Sequence, residues 1–185
     1  THYLREHAPG VDLRLYPNVG KSLDMLDQQE ADFAIMPYEI LPERFEYVDV
    51  MNAPFVVIMR QGHPLSDGEI TLERYAQADH LMVTFRGDDR SFVDDKLERR
   101  GLRRRVAMTI NQFNVGPPIV AASDMIMSIP RPIAEQQASF YDLIVREAPD
   151  LGLPFGAALK LVWSRRLTRH PAHDWMKDVL INLSR

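Results

Sequence analysis

Residues 80–130 read HLMVTFRGDDRSFVDDKLERRGLRRRVAMTINQFNVGPPIVAASDMIMSIP and alternate short apolar runs with helical patterns. A strand at 81–85, a polar loop and a helix at 91–100 are followed by a second strand at 106–110. A turn with two prolines, another helix and a strand ending at Pro130 complete the stretch. This alternation is typical of an α/β sheet that binds a ligand beyond its strand ends.

A second informative stretch, ADFAIMP at residues 31–37, passes from a helix into a short buried strand that ends at the proline. Apolar and charged residues alternate at 11–15, which predicts a half-buried strand. The stretches 45–50 and 55–59 predict two more strands, separated by Asn52-Ala53-Pro54. These patterns extend the α/β prediction to the first third of the chain.

Turn signals at 61–64 and 153–156 divide the chain into two predicted lobes that are joined by two crossing strands. Lobe I is discontinuous and comprises residues 1–60 and 158–185, while lobe II comprises residues 61–157. The predicted fold is therefore α/β with two lobes, one of them inserted into the other.

The composition limits the possible functions. The 185 residues are 45% hydrophobic and 26% charged, with a formal net charge of −4, which disfavours nucleic-acid binding by this chain alone. The absence of cysteine excludes disulfides, thiolate metal sites and cysteine nucleophiles. No apolar run approaches the roughly 20 residues that span a bilayer, so no membrane partner is predicted. Tyr3, Leu4 and His7 precede Pro9-Gly10 as the end of a helix would, which predicts that the chain is a fragment.

The candidate ligand site consists of residues at three strand ends and one crossing: Met36, Pro37, Tyr38, Thr84, Phe85, Arg86, Gln112, Phe113, Asn114 and Phe155. Apolar walls with a few directional polar groups suit a small aromatic ligand. Arg86, beside the backbone amides of the Gly87 turn, favours a ligand with a carboxylate or phenolate. Two alternatives stay open, in which Arg86 is a solvated surface residue and Asn114 only stabilises its own turn.

Catalytic residues, metals and cofactors are not predicted. The serines at 123, 128 and 164 lie in no nucleophile elbow and pair with no histidine. His170 and His173 have a spacing that suits metal ligands, but Pro171 at the start of a helix explains this stretch better. Asp88 and Asp89 supply too few oxygens for a hard cation and are predicted to cap the helix that begins near Ser91.

The basic run at 98–105 holds five arginines, but it lacks the interleaved aromatic residues of a nucleic-acid site. Arg99 and Arg100 at a helix end, followed by Gly101 as a left-handed cap, explain the run structurally. A salt-bridged contact between subunits is the alternative.

In order and spacing, five motifs resemble the effector-binding domain of LysR-type transcriptional regulators. They are HAPGVDLRL (7–15), QEADFAIM (29–36), GHPL (62–65), AASDMIMSIP (121–130) and DWM (174–176). HLMVTF (80–85) and GLRRRVAMTI (101–110) are most similar to the branch of nodulation and aromatic-degradation regulators. The resemblance implies two α/β lobes of the type II periplasmic-binding-protein kind, with the effector in the cleft between them.

The resemblance further implies homodimers that assemble into tetramers, a cytoplasmic location and an N-terminal winged helix-turn-helix for DNA, which this chain lacks. The leading hypothesis is thus a ligand-sensing regulatory domain that binds a small aromatic effector and controls the conformation of a DNA-bound oligomer. The alternative is a free-standing periplasmic solute-binding protein. An enzyme on this scaffold is disfavoured, because Arg86, Gln112 and Asn114 are poor proton shuttles at neutral pH.

Overall fold

The computed structural model describes residues 2–17, 20–37, 40–84, 90–150 and 156–184. Within these ranges the helices are α1 (His2–His7), α2 (Ser22–Asp27), α3 (Leu72–Gln77), α4 (Phe92–Glu98), α5 (Gly116–Ala121), α6 (Arg131–Tyr141) and α7 (Pro171–Leu183). The strands are β1 (Ala34–Met36), β2 (Phe45–Arg60), β3 (Asp79–Val83), β4 (Arg105–Ile110), β5 (Met125–Pro130), β6 (Leu143–Glu147) and β7 (Gly156–Ser164). The chain is α/β, as predicted.

Strand β2 is shared by two sheets. From Phe45 to Pro54 it pairs antiparallel with β7, which carries β1 on its other side; we call this the smaller sheet. From Phe55 to Arg60 it pairs antiparallel with β5 and β6, and β3 and β4 continue in parallel beyond β5; this is the larger sheet. The chain passes from one sheet to the other between Pro54 and Phe55, whereas the lobe boundaries near residues 60 and 158 stay a prediction.

The second half of β2 is buried on both faces of the larger sheet. Val57 and Met59 pack into a cluster with α3 and α4, and Val56 and Ile58 pack into a second cluster with α5 and α6. Because both faces are covered, this run is apolar throughout and does not alternate with polar residues. The smaller sheet packs against α2 through Leu26, Phe45 and Val162.

Two predictions about strands are wrong. Residues 11–15 form no strand and are exposed, with Leu15 at 91%. Alternation indicates a strand only where a neighbouring strand accepts its backbone hydrogen bonds, and no strand among the described residues pairs with this stretch. The two strands predicted at 45–50 and 55–59 form one strand, since Pro54 lies at the end of the β7 ladder, where its missing N–H is tolerated.

The described helices are short, the longest being α7 with 13 residues. Not one of them has both the length and the apolar character needed to cross a bilayer. Their ends follow local signals that the sequence carries. The Thr71 hydroxyl accepts a hydrogen bond from the Arg74 backbone at 3.3 Å, Gly101 has the predicted left-handed conformation with φ +71°, and Pro171 begins α7.

Candidate functional site

Parallel strands β3, β4 and β5 end at one edge of the larger sheet. Thr84 follows β3, and its backbone N–H donates to the backbone oxygen of Ile110, the last residue of β4, at 2.8 Å. Gln112 continues from there in an extended conformation, and Phe113 begins a turn of 3-10 helix that leads into α5. The structure thus brings two of the predicted segments, Thr84 and Gln112–Asn114, to the same edge.

The side chains of these segments differ in exposure. Gln112 and Asn114 are exposed, whereas Thr84 and Phe113 are half-buried. Phe113 packs against the apolar cluster beneath α5, so one part of its ring is held by the core and another part remains accessible. A partly buried aromatic ring beside exposed amides suits a ligand that is itself both apolar and polar.

Phe55 is a further residue at this edge, and the sequence-based site did not include it. Its ring packs edge-to-face against Phe113, with ring centroids 5.9 Å apart and an interplanar angle of 64°. It lies opposite Pro130, at the start of the part of β2 that belongs to the larger sheet. The signal that points to it is the Asn52-Ala53-Pro54 turn motif, which marks the crossing immediately before an aromatic residue.

In the smaller sheet, Met36 ends β1 and is half-buried, and Pro37 after it is exposed. Met36 lies directly opposite Lys160 of β7. Lys160 Nζ donates to Asp49 Oδ1 at 2.5 Å and lies 4.7 Å from the centre of the Tyr47 ring. Lys160 is not among the residues predicted from the sequence, because only the sheet register places it beside the end of β1.

Four of the predicted site residues, Tyr38, Phe85, Arg86 and Phe155, lie outside the described residues. The Gly87 turn, which was predicted to receive an anionic group, lies outside them too. The assignment of these residues to the ligand site therefore stays a prediction.

Helix α4 begins with a capping box at Ser91 rather than with the predicted cap by Asp88 or Asp89. The Ser91 hydroxyl accepts from the Val93 backbone at 3.2 Å, and Asp94 Oδ2 accepts from the Ser91 backbone N–H at 2.6 Å. A serine followed three residues later by a carboxylate satisfies two of the free N–H groups at a helix start. The cap prediction is therefore wrong by two or three residues, and Asp88 and Asp89 themselves lie outside the described residues.

A buried ion pair holds this helix start against the sheet. The side chain of Arg104 is only 4% exposed and that of Asp94 12%. Arg104 donates from Nε to Asp94 Oδ1 at 2.8 Å and from Nη2 to Asp94 Oδ2 at 2.9 Å, and Nη2 also contacts the Ser91 hydroxyl at 3.0 Å. Burial opposes ionisation of Asp94, but the hydrogen bonds from Arg104 and Ser91 outweigh it and hold the pKa of this carboxyl below its usual value.

His80 and Tyr75 lie beside the Arg104 guanidinium and are almost fully buried. His80 Nε2 donates to the backbone oxygen of Tyr75 at 2.8 Å, and the two rings pack edge-to-face. Burial, and secondly the charge of Arg104, lower the pKa of His80 to about 4, so the imidazole is neutral at physiological pH. The Tyr75 hydroxyl forms a hydrogen bond of 2.9 Å with the Ser128 hydroxyl. Ser128, one of the serines considered as nucleophiles, is therefore paired with a tyrosine.

Metal ligands do not converge in the part of the chain that the structure describes, where no group of three or more His, Asp or Glu side chains is arranged to hold an ion. His173 stacks on Phe33 with ring centroids 4.2 Å apart and its Nε2 lies 3.4 Å from the backbone oxygen of Asp32. These contacts give His173 a packing role at the start of α7.

Two sheets that share one crossing strand, with aromatic and polar groups at the carboxyl ends of the parallel strands, define a two-lobed ligand-binding domain of the type II periplasmic-binding-protein fold. Residues 3–184 match the LysR substrate binding domain, and the chain belongs to this family.

Several relatives are named as transcriptional regulators or as nodulation proteins. The chain is 27% identical over 175 residues to the HTH-type transcriptional regulator SyrM of Rhizobium meliloti (strain 1021), covering 94% of this chain and 53% of SyrM. It is 30% identical over 183 residues to Nodulation protein D 1 of Rhizobium leguminosarum bv. phaseoli, covering 97% and 57% of the two chains. The chain spans only 53% to 60% of the length of the curated relatives it matches. SyrM is named as a transcriptional regulator and NagR as a transcriptional activator, in agreement with the prediction that the chain is not an enzyme.

Solved structures agree with this fold. The probable transcriptional regulator PA0477 from Pseudomonas aeruginosa superposes with a TM-score of 0.85 at 32% identity, covering 97% of this chain and 59% of that one. The CcmR regulatory domain from Synechocystis PCC6803, solved in complex with 2-PG, superposes with a TM-score of 0.81 at 16% identity, covering 100% and 88%. The second likeness shows the fold alone. Both structures are consistent with the predicted fold.

Proposed function

We propose that this chain is the effector-sensing domain of a LysR-type transcriptional regulator and that it binds a small aromatic, anionic effector between its two sheets. The observation that carries the proposal is the edge-to-face pair of Phe55 and Phe113, at the point where β2 enters the larger sheet. An aromatic ligand that adds to this pair gains both apolar burial and favourable ring geometry. Thr84, Gln112 and Asn114 supply directional polar groups at the same edge.

The charge of the effector is proposed from Arg86 and the Gly87 turn. A carboxylate or phenolate that loses its water needs charge-assisted hydrogen bonds, and a guanidinium offers two parallel ones. The complex of CcmR with 2-PG supports ligand binding by this fold in a relative.

The route from ligand to transcription is a change in the relative arrangement of the two sheets or of two subunits. A ligand shifts such an equilibrium only by its differential affinity for two states. In this proposal a winged helix-turn-helix in the whole regulator binds DNA in the cytoplasm. The relatives, which are named as transcriptional regulators, favour this proposal over a periplasmic solute-binding protein.

Calorimetry with a panel of hydroxybenzoates and flavonoid-like compounds tests the effector. We expect Phe113→Ala to weaken binding of the best ligand about tenfold or more, because it removes a ring contact worth about 1.5 kcal/mol or more. Phe140→Ala is the matched control, since this ring at the end of α6 is 75% exposed, and it is expected to leave binding unchanged.

The aromatic assignment fails if the wild-type chain binds none of these compounds and binds an amino acid or a sugar instead. Equal binding of an aromatic acid by wild type and Phe113→Ala would remove Phe113 from the site. An unchanged affinity in Arg86→Ala would show that Arg86 has been given the wrong role. Thermal melting of each variant establishes that it is folded.

We also propose that the domain forms homodimers, which assemble into tetramers in the whole regulator, and that it does not bind DNA alone. The net charge of −4 disfavours phosphate contacts. We expect sedimentation at tens of micromolar protein to show a dimer. This concentration is of the order of the dissociation constant of a modest interface. Monomer alone at that concentration contradicts the first part, and sequence-specific DNA binding by this chain contradicts the second.

A further inference from the structure

Lys160 lies at the end of the smaller sheet that corresponds to the proposed ligand-binding edge of the larger sheet. It lies opposite Met36, the last residue of β1, and opposite Asp49 of β2. Strands β1 and β2 both run antiparallel to β7, so they point in the same direction, and Lys160 lies near the carboxyl end of β1. The carboxyl ends of strands are where α/β sheets bind their ligands.

The surroundings of Lys160 favour a second anion. Its side chain is only 17% exposed, whereas that of its partner Asp49 is 61% exposed. The ammonium group lies 4.7 Å from the centre of the Tyr47 ring, whose face attracts a cation. An ammonium group has three N–H donors, and Asp49 Oδ1 takes one of them at 2.5 Å.

The backbone beside Lys160 is irregular, and this irregularity also favours a binding site for an anion. The pairing of β2 with β7 is regular up to Asp49 and Lys160 and then shifts, so that Met51 pairs with Leu159. A bulge of this kind turns side chains away from the regular pleat and is frequent next to binding sites. Here it lies between the Lys160 pair and the crossing into the larger sheet at Phe55.

A structural ion pair between neighbouring strands is the alternative. The carboxylate of Asp49 is exposed, and water stabilises an exposed carboxylate almost as well as an ammonium partner does. Asp49 therefore loses little when its partner leaves, whereas the mostly buried ammonium of Lys160 still needs an anionic partner. An incoming carboxylate can replace Asp49 at small cost.

We propose that Lys160 recognises the negative charge of the effector, exchanging its contact with Asp49 for the carboxylate or phenolate of the ligand. The inference rests on the proposed function, since it concerns the same cleft. It adds a charge-recognising residue on the smaller sheet, opposite the aromatic pair on the larger one. Asp49 and Phe55 are six residues apart on β2, about 20 Å when extended, so a two-ring acid is better able than a one-ring acid to reach both sides.

The test compares one-ring and two-ring aromatic acids with their neutral amides by calorimetry, on the wild-type chain and on Lys160→Met. In the wild type we expect the acid to bind at least about tenfold more tightly than its amide, from one charge-assisted hydrogen bond. In Lys160→Met the ratio is expected to fall about tenfold, with the affinity for the amide unchanged and the contribution of Arg86 retained. Lys160→Arg is expected to keep most of the ratio, and Asp49→Asn to raise the affinity for the acid.

Lys177 provides a matched control. Its ammonium binds Asp174 at 2.7 Å, lies 5.4 Å from the Trp163 ring and belongs to a side chain that is 22% exposed. Lys177 is on α7, whose His173 packs against Phe33. Because Phe33 precedes β1, this contact lies at the amino end of β1, away from the carboxyl end where Lys160 lies. Lys177→Met is therefore expected to leave the ratio unchanged.

The outcomes separate the two proposals. If no aromatic acid binds the wild-type chain, the proposed function fails and this inference fails with it. If acids bind but Lys160→Met keeps the wild-type ratio, only the role of Lys160 is overturned. If Asp49→Asn lowers the affinity for the acid as much as Lys160→Met does, the Lys160–Asp49 pair is structural. The proposed exchange of Asp49 for the ligand is then overturned.

Discussion

Substitution of Arg104 by methionine is expected to lower the free energy of unfolding by about 3–5 kcal/mol. The guanidinium is almost fully buried and makes two hydrogen bonds to the carboxylate of Asp94. Methionine fills a similar volume but leaves this carboxylate largely buried and without its counter-charge. The expected loss of stability is large, because the partner charge compensates the desolvation of a buried charge only while that partner is present.

Urea unfolding at pH 7.5 measures the effect, and the chain offers a matched control. Arg90 also forms hydrogen bonds to two carboxylates, those of Asp95 and Glu98, but its side chain is 55% exposed. Arg90→Met is expected to change the stability little, because water screens exposed ion pairs.

A double variant distinguishes loss of the ion pair from loss of packing. Asp94→Asn keeps an oxygen for the Ser91 cap but removes the charge, so Arg104→Met with Asp94→Asn is expected to be more stable than Arg104→Met alone. If Arg104→Met and Arg90→Met have equal stability, the buried pair is not important for the fold. If the double variant is no more stable than the single one, packing and not charge explains the loss.

The stability of the domain is expected to fall by about 3 kcal/mol between pH 6.5 and pH 4 through His80 alone. The folded-state pKa of His80 is about 4, against an ordinary value of 6.5. Within this window the unfolded chain binds a proton that the folded chain does not, so acid favours unfolding. The contribution is fully present above pH 6.5 and is lost as the pH falls to 4, at about 1.4 kcal/mol per pH unit.

Urea unfolding of wild type and His80→Gln at pH 7.5 and 4.5 measures this contribution. Glutamine can keep a hydrogen bond to the backbone oxygen of Tyr75 but does not titrate, so the variant is expected to lose less stability on acidification than the wild type. His170→Gln, at an exposed position just before α7, is expected to retain the wild-type pH dependence. Equal pH dependence of wild type and His80→Gln would contradict the role of His80.

The two predictions are coupled, because the charge of Arg104 is the second cause of the low pKa of His80. Arg104→Met is therefore expected to raise the pKa of His80 towards its ordinary value. The acid-sensitive window of that variant would be narrower than that of the wild type.

Several features follow from the sequence because their causes are local. The apolar stretch at 55–59 predicts a strand, and the structure has that strand, buried on both faces. Thr71 and Gly101 mark helix ends where the structure has them. The spacing of Ser91 and Asp94 is that of a capping box, although the cap was predicted at the preceding aspartates. Each of these signals acts over a few residues, through backbone conformation or the direction of neighbouring side chains.

Other features depend on which elements become neighbours. Residues 11–15 have the alternation of a strand but form none, because a strand also needs a partner for its backbone groups. Sequence alone predicted the α/β class and the position of Thr84 and Gln112–Asn114 at the strand ends, while their role in ligand binding stays a prediction. Only the tertiary structure placed Phe55 against Phe113 and Lys160 beside Asp49, a pair 111 residues apart. The periodicity of a sequence reports which faces of an element are buried, whereas contacts between distant side chains follow from the order and register of the strands.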